Sequence, residues 1–371
     1  LNSGINTKES NCMNMSNDFE EMEVPAVFDA HVHLRQGADL AHYAKTVSDY
    51  ADVALVMPNI EPPAKDREEF LSYFSECQKH LGQTKCLMTA KLLPTTTVDD
   101  IKIMKDAGAI GFKLYVSGTT TNSHDGIPEE WLLSRDDSIM RLFDEMQKLD
   151  MVLLQHAELP SQFSLDREEA YMREVAAFLF TNFSKMRQTI EHITTYYALD
   201  AVRNAFYYNR DVLNLGNKVF GTITVHHPRL TLDSVVGDKL RPDLFCKPIA
   251  KRESDRRALM SAMLSGVDYL GLGTDTAPHK QHNKYCSHGC AGVYSAPTAL
   301  ETLVETFDEQ KKMHYFYKFC CQNASAFYGV PTTGRKIKMI REPYIVPEKV
   351  DGCTPYRAGE TIKWRKKSST V

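Results

Sequence analysis

The chain lacks any apolar run approaching the roughly 18 residues that a membrane-spanning helix needs. Near its start it also lacks a basic stretch followed by an apolar one, so nothing there reads as a secretory signal. An excess of one charge sign is missing too. Against 48 Asp and Glu stand 44 Lys and Arg, a net charge of −4 with no basic field to attract nucleic acid or anionic lipid. No long internal repeat appears. The nine cysteines are odd in number and scattered. That argues against a disulfide framework and for a reducing compartment, with the cytoplasm as default.

What is present is an ordinary globular composition, with 43% hydrophobic and 25% charged residues among 371, enough to bury a large core. Eight short apolar runs rich in β-branched residues are read as strands: Val27 to His33, Val53 to Met57, Cys86 to Leu92, Ile110 to Tyr115, Met151 to His156, Thr189 to His192, Val219 to Val225 and Tyr269 to Gly273. Most are continuous rather than alternating, as in parallel strands covered on both faces. Helical patterns fall between or after them at Arg67 to His80, Val98 to Asp106, Ser138 to Leu149, Glu168 to Lys185, Glu253 to Leu264, Ala296 to Glu309 and His314 to Tyr328. Strand–helix alternation repeated eight times predicts an α/β fold, a closed TIM-type (β/α)8 barrel, with a doubly wound open sheet as the alternative. Residues 1–24, rich in Asn, Ser and Glu, read as a disordered or cloning-derived leader. Residues 25–371 read as a single barrel domain, with a C-terminal extension from about residue 335 packed on it.

The ionisable residues are concentrated at predicted strand ends, where a barrel carries its catalytic groups. His31 and His33 lie two apart on one strand and so point to the same face. There they can grip one metal ion, or merely face solvent. Lys113 sits in GFKLY. It either snorkels to the surface or is desolvated. A desolvated neutral amine can add carbon dioxide to become a carbamate that bridges two cations as a carboxylate does. His156 closes VLLQHAE and His192 closes TIEHIT, each a ligand or a hydrogen-bonded structural residue. Asp275 follows the eighth strand in GTDTAPH, where a carboxylate can ligate metal and carry a proton. His279 in the same segment can bind an anion. The combination of HxH, Lys, His, His and Asp at successive strand ends is far more specific than any member. His282, Cys286, His288 and Cys290 have metal-compatible spacing, but a polar loop with cysteines beneath it is the preferred reading.

On the segments DAHVHLR (29–35), VMPN (56–59), GFKLY (111–115), TTNS (120–123), QHAE (155–158), EHIT (191–194), GTDTAPH (273–279), CAGVYSAPTA (290–299) and AGETIKW (358–364), the chain resembles the amidohydrolase superfamily. Within it the chain is similar to the shorter, monofunctional dihydroorotases of bacteria and fungi, from about Phe28 to Trp364. The resemblance implies a binuclear centre of two Zn2+ per subunit. His31, His33 and Asp275 would bind the more buried ion and His156 and His192 the other, with Lys113 bridging as N6-carboxylysine. It implies that Arg35, Asn59 and His279 hold a substrate carboxylate, and that backbone at Lys247 and around Ala291 meets the pyrimidine-ring amides. Thr120 and Thr121 would ride a mobile loop that closes over the substrate. The activity implied is a zinc-dependent hydrolase's reversible conversion of N-carbamoyl-L-aspartate to L-dihydroorotate, the third step of pyrimidine biosynthesis. The enzyme would be a cytoplasmic homodimer acting on a small molecule, with no nucleic acid or membrane partner. In it, zinc-activated water attacks the ring amide while Asp275 passes the proton to the leaving nitrogen. Two other readings stay open. One is a dihydropyrimidinase- or hydantoinase-like cyclic amidase, against which the early first strand and the carboxylate clamp argue. The other is an inactive scaffold, against which the complete ligand set argues.

Overall fold

Eight parallel strands form one sheet in chain order in a computed structural model that describes residues 21–64 and 66–367. After β1 (Glu21–Pro25) come the barrel strands β2 (Val27–Val32), β3 (Ala51–Val56), β4 (Lys85–Lys91) and β5 (Gly111–Leu114). They are followed by β6 (Val152–Gln155), β7 (Arg187–Ile190), β8 (Val219–Ile223) and β9 (Leu270–Leu272). Every residue of β2, β3, β5, β6, β8 and β9 is buried, which is why these runs are mostly apolar and why the few ionisable residues in them stand out. The last strand meets the first through the residues just beyond β9. The Asp275 N–H donates to the His31 carbonyl at 2.9 Å and the His33 N–H to the Thr276 carbonyl at 3.0 Å. The expected closed barrel is the fold found, and the open sheet is not.

Two apolar layers hold the barrel. Inside, Phe28, Val53, Leu55, Leu87, Val152, Leu154 and Phe220 pack on Phe327 and Tyr328. These last two come from the helix Asn323–Tyr328, which plugs the N-terminal end. Phe220 stacks on Phe327 with ring centroids 4.9 Å apart. Outside, the helices bury their apolar faces against the strands. The helix Val98–Asp106 has the bounds its periodicity predicts and opens on a capping box of Thr97 and Asp100. The segment expected as one helix over Glu168 to Lys185 is Arg167–Tyr171 and Ala177–Asn182 joined through a π turn, Met172–Ala176. The longest helices not anticipated are Leu40–Ser48 and Tyr196–Tyr207, beside the short Glu129–Ser134, Leu232–Val236 and Gln281–Lys284. In Tyr196–Tyr207, buried Ala198, Leu199, Val202 and Phe206 are masked in sequence by exposed Tyr196, Tyr197 and Tyr207.

The leader expected over residues 1–24 falls largely outside the described residues. Its last part does not behave as a leader. Residues of β1 pair antiparallel with β10 (Lys336–Ile340), from Glu21 opposite Ile340 to Pro25 opposite Lys336. Val24 is buried, so a partner from the far end of the chain supplies both the backbone hydrogen bonds and an apolar cover. Farther along the tail, Trp364 is fully buried and its indole N–H donates to Asp308 at 3.0 Å.

Candidate active site

β2 carries one more residue than β3 between Asp29 and Val32, a register shift that re-aims the strand as it reaches the mouth of the barrel. His31 and His33 leave from that point. Lys113 pairs in register with Leu154, a member of the inner layer, so its side chain enters the barrel. His156 lies two residues beyond Leu154. His192, Asp275 and Arg35 turn inward through left-handed backbone, with φ of 40°, 48° and 61°. That conformation is uncommon for side chains other than Gly, Asn and Asp, and it collects at functional sites. Gly273 allows the close approach of β9 to its neighbours. A Cβ there would fall 2.8 Å from Thr222 and 3.0 Å from His31.

The result is a row of four imidazoles. Ring centroids are 5.2 Å apart for His33 and His31, 5.1 Å for His31 and His192, and 4.7 Å for His192 and His156. Asp275 Oδ1 lies 3.3 Å from His31 Nε2 and 3.2 Å from His33 Nε2. The ligand atoms of His31, His33 and Asp275 lie within 4.8 Å of one another and all three residues are buried. Lys113 is wholly buried, its Nζ has no hydrogen-bond partner, and it sits 5.3 Å from the centroid of the Tyr115 ring. An unpaired buried ammonium is costly, so the environment favours the neutral amine. Burial lowers the Lys113 pKa to about 8 even though Glu191 and Asp275 oppose it. Burial also brings His33 down to about 3 and holds His192 well below its ordinary value, the latter with help from His156 and Lys113. Burial pushes Asp275 up, but His31, His33 and His192 outweigh it and keep the group an anion. Imidazoles around one carboxylate, with an unpartnered amine beside them, fit divalent cations bound by nitrogen and oxygen.

Carboxylates orient the rings from behind. His31 Nδ1 hydrogen-bonds Glu191, and His156 Nε2 lies 2.8 Å from Glu158 Oε2. A ring nitrogen tied to a carboxylate sets the tautomer and leaves the other nitrogen's lone pair for a ligand. Sequence reasoning assigned these acids no role, although both stand in the quoted motifs, one residue before and two residues after a histidine. Asp29 also escaped a role. It is fully buried and accepts from Tyr50 at 2.6 Å and from Thr274 N–H at 2.9 Å, anchoring the start of the β9 exit to β2. Tyr115 lines the pocket with its hydroxyl unpartnered.

All the predicted site residues except Lys113 and His279 line a single pocket, and these two touch its wall. At the pocket wall Arg35 donates to the Pro278 carbonyl at 3.1 Å and its Nη2 lies 2.9 Å from His279 Nε2. The same Nε2 is 3.0 Å from the Ala291 carbonyl. One tautomer of His279 accepts from Arg35 and the other donates to Ala291. Asn59 donates to the Thr121 carbonyl at 2.9 Å and keeps its own Oδ1 unpartnered. The loop with Thr120 and Thr121 therefore lies over the pocket, braced by Ser123 Oγ accepting from the Thr120 N–H at 2.9 Å. Lys247 Nζ leans on the Phe245 ring at 5.8 Å. Among the described residues, His282, Cys286, His288 and Cys290 form no metal-competent group, and Cys286 is exposed.

No family model matches the chain. A protein of Vibrio vulnificus (strain YJ016) named Dihydroorotase is 34% identical over 348 residues, covering 91% of this chain and 97% of the relative. One of the same name from Shewanella baltica (strain OS155 / ATCC BAA-1091) is 33% identical over 347 residues, covering 91% and 96%. The crystal structure of dihydroorotase from Saccharomyces cerevisiae in complex with 5-fluoroorotic acid superposes with a TM-score of 0.84 at 30% identity, covering 94% of this chain and 98% of that one. An L-hydantoinase from Arthrobacter aurescens reaches a TM-score of 0.70 at 16% identity, covering 93% and 83%, and shares the fold alone.

Proposed function

The chain belongs to the dihydroorotase family, and from that premise we propose that its barrel mouth interconverts N-carbamoyl-L-aspartate and L-dihydroorotate for pyrimidine biosynthesis with two bound zinc ions. His31, His33 and Asp275 would hold one ion and His156 and His192 the other. Lys113, carboxylated by carbon dioxide, would offer an oxygen to each. When bound, the cations make water a nucleophile near neutral pH and polarise the carbonyl under attack.

The remaining work belongs to the chain's own side chains. Asp275, kept anionic by the histidines around it, takes the proton of the attacking water and returns it to the ring nitrogen as the C–N bond breaks. In ring closure it accepts a proton from the carbamoyl nitrogen as that atom attacks the side-chain carboxyl, and it passes the proton to the carboxyl oxygen that leaves as water when the C–O bond breaks. The planar fork of Arg35 makes two parallel bonds to the substrate carboxylate, with Asn59 and His279 completing the clamp. Thr120 and Thr121 exclude water from the closed pocket and hydrogen-bond the substrate. Backbone at Lys247 and Ala291 meets the ring amides.

The observation that carries this reading is the convergence of His31, His33 and Asp275 beside an unpartnered Lys113, within reach of the Arg35–His279 pair. Ring opening of dihydroorotate, followed by absorbance with and without a chelator, tests it. Loss of activity on chelation and its return with zinc are expected, and full activity in a metal-free sample would refute the metal centre. Dihydrouracil has no carboxylate for Arg35, so equal turnover of dihydrouracil would favour the hydantoinase-like reading. We further read the chain from Glu21 onward as one catalytic domain of a cytoplasmic homodimer. The free state of all eight described cysteines supports a reducing compartment, and sedimentation tests the dimer. No helix among the described residues is long and apolar enough to cross a membrane.

A further inference from the structure

A second group of metal-ligating side chains lies beyond the end of β8, outside the pocket lining. His226 and His227 follow β8, and Cys246 comes from the segment that also carries Lys247. Their ligand atoms lie within 4.8 Å of one another, and all three are buried. His226 is fully buried, and neither of its ring nitrogens has a hydrogen-bond partner. Its ring packs on that of His227 with centroids 4.4 Å apart. Burying both polar edges of an imidazole without a partner is unfavourable, and no acid stands within hydrogen-bond reach of either edge, Asp275 acting on the ring only from a distance.

The other donors already stand close to the edges of a coordination tetrahedron. His227 Nε2 is 3.4 Å from Cys246 Sγ and 3.0 Å from the Pro248 carbonyl oxygen. Cys246 Sγ is 3.4 Å from that same oxygen. Zinc bonds of about 2.0–2.1 Å to nitrogen and 2.3 Å to sulfur place neighbouring tetrahedral donors about 3.4–3.6 Å apart. His227 Nδ1 is held by the Thr224 hydroxyl at 3.0 Å, which orients the ring with Nε2 toward the cluster. Two imidazoles and a thiol, with no carboxylate, select a borderline-soft ion over magnesium or calcium.

We propose that His226, His227 and Cys246, with the Pro248 carbonyl, form a third metal site that takes zinc or a similar borderline-soft divalent cation. Binding displaces the Cys246 thiol proton to solvent and leaves a thiolate ligand, with no change of oxidation state. The role is mechanical. Phe245, next to Cys246, accepts the Gly292 N–H at 2.9 Å and Lys284 Nζ at 2.9 Å through its carbonyl. Gly292 and Lys247 both line the substrate pocket. A cation here ties that wall of the pocket to the end of β8.

The centre at the barrel mouth has only nitrogen and oxygen donors, so sulfur makes the two sites spectroscopically distinct. The cobalt(II)-substituted full chain is expected to show a near-ultraviolet thiolate-to-cobalt charge-transfer band. Cys246→Ser should abolish it and carry one zinc equivalent fewer per chain than the parent, and His226→Gln should weaken or shift it and lower the zinc content. Absence of the band in the parent protein overturns the proposal, whatever the variants do. So does a band that survives Cys246→Ser, which would belong to a surface thiol such as Cys286. A His226→Gln protein with unchanged zinc content and spectrum overturns it as well. The His226 ring makes no hydrogen bond, so that variant keeps the fold's own hydrogen bonds if Cys246→Ser fails to fold. Dihydroorotate turnover on the same samples reports on the barrel-mouth centre separately, so the two readings fail independently.

Discussion

Glu305 and Lys113 are both buried ionisable residues, and their surroundings are opposite. Glu305 accepts from Arg357 Nη1 at 2.6 Å and from the Lys363 N–H at 2.8 Å, holding the tail onto the helix Ala299–Glu309. Lys113 is equally hidden and has no hydrogen-bond partner. Around it, His33 Nδ1, His192 Nδ1 and Glu191 Oε1 also go without partners. Along the tail, then, buried charge is paired in the manner of a structural element. At the mouth, polar groups are desolvated, close together and left open, an arrangement that stability alone does not favour. The difference separates a region built to hold from a region built to bind, and it rests on hydrogen-bond bookkeeping rather than on burial.

Removing Asp275 gives the largest expected effect on the open side. Asp275→Ala should lower dihydroorotate turnover by at least about 10²–10⁴-fold while the thermal unfolding transition persists. Activity close to the parent's would end the assignment of Asp275 as proton carrier. Next, Lys113→Ala should lose zinc, and short carboxylic acids such as acetate should restore part of it. Metal analysis reads both, and a full zinc complement without additive would count against the carboxylated bridge. The paired side should break differently. Glu305→Ala leaves Arg357 with Glu360 as its only acid and the Lys363 N–H without its acceptor, and should cost about 1–3 kcal/mol of stability by denaturant titration, with the kcat of the folded fraction unchanged. If that variant lost activity rather than stability, the contrast between the two regions would be wrong.

The smallest effect concerns pH. Burial, with Arg35 and Lys284 nearby, lowers the His279 pKa from 6.5 to about 2. Between those values the unfolded chain takes up a proton that the folded chain refuses. This residue therefore adds stability that is full above pH 6.5 and is lost as pH falls toward 2, by at most about 1.4 kcal/mol per pH unit. His279→Gln should remove that slope from the stability difference between parent and variant, measured by denaturant titration from pH 4 to 7. A difference independent of pH would show that the imidazole is not held neutral.

Much of this was legible along the chain. The eight barrel strands lie within or close to the apolar runs, because a strand covered on both faces must be apolar at nearly every position. The ligand candidates were legible because a His or Lys ending such a run conflicts with burial. Glu158 and Glu191 were not, since an acid beside a histidine in sequence is ordinary and only the fold shows which ring it holds. The helix Tyr196–Tyr207 was obscured by its exposed tyrosines, and the break in Glu168 to Lys185 by a π turn midway that changes the helical period.

By itself the sequence determined the strand and helix succession and the residue types at each strand end, because hydrophobic periodicity and burial cost act locally. Only the tertiary structure decided that His31 stands against His192 and Asp275 and that residues 21–24 belong to a strand rather than to a leader. It alone brought His226 and His227 onto Cys246. Those outcomes depend on barrel closure and on pairing between distant segments, and no local pattern encodes which distant group will satisfy a buried donor or leave it open.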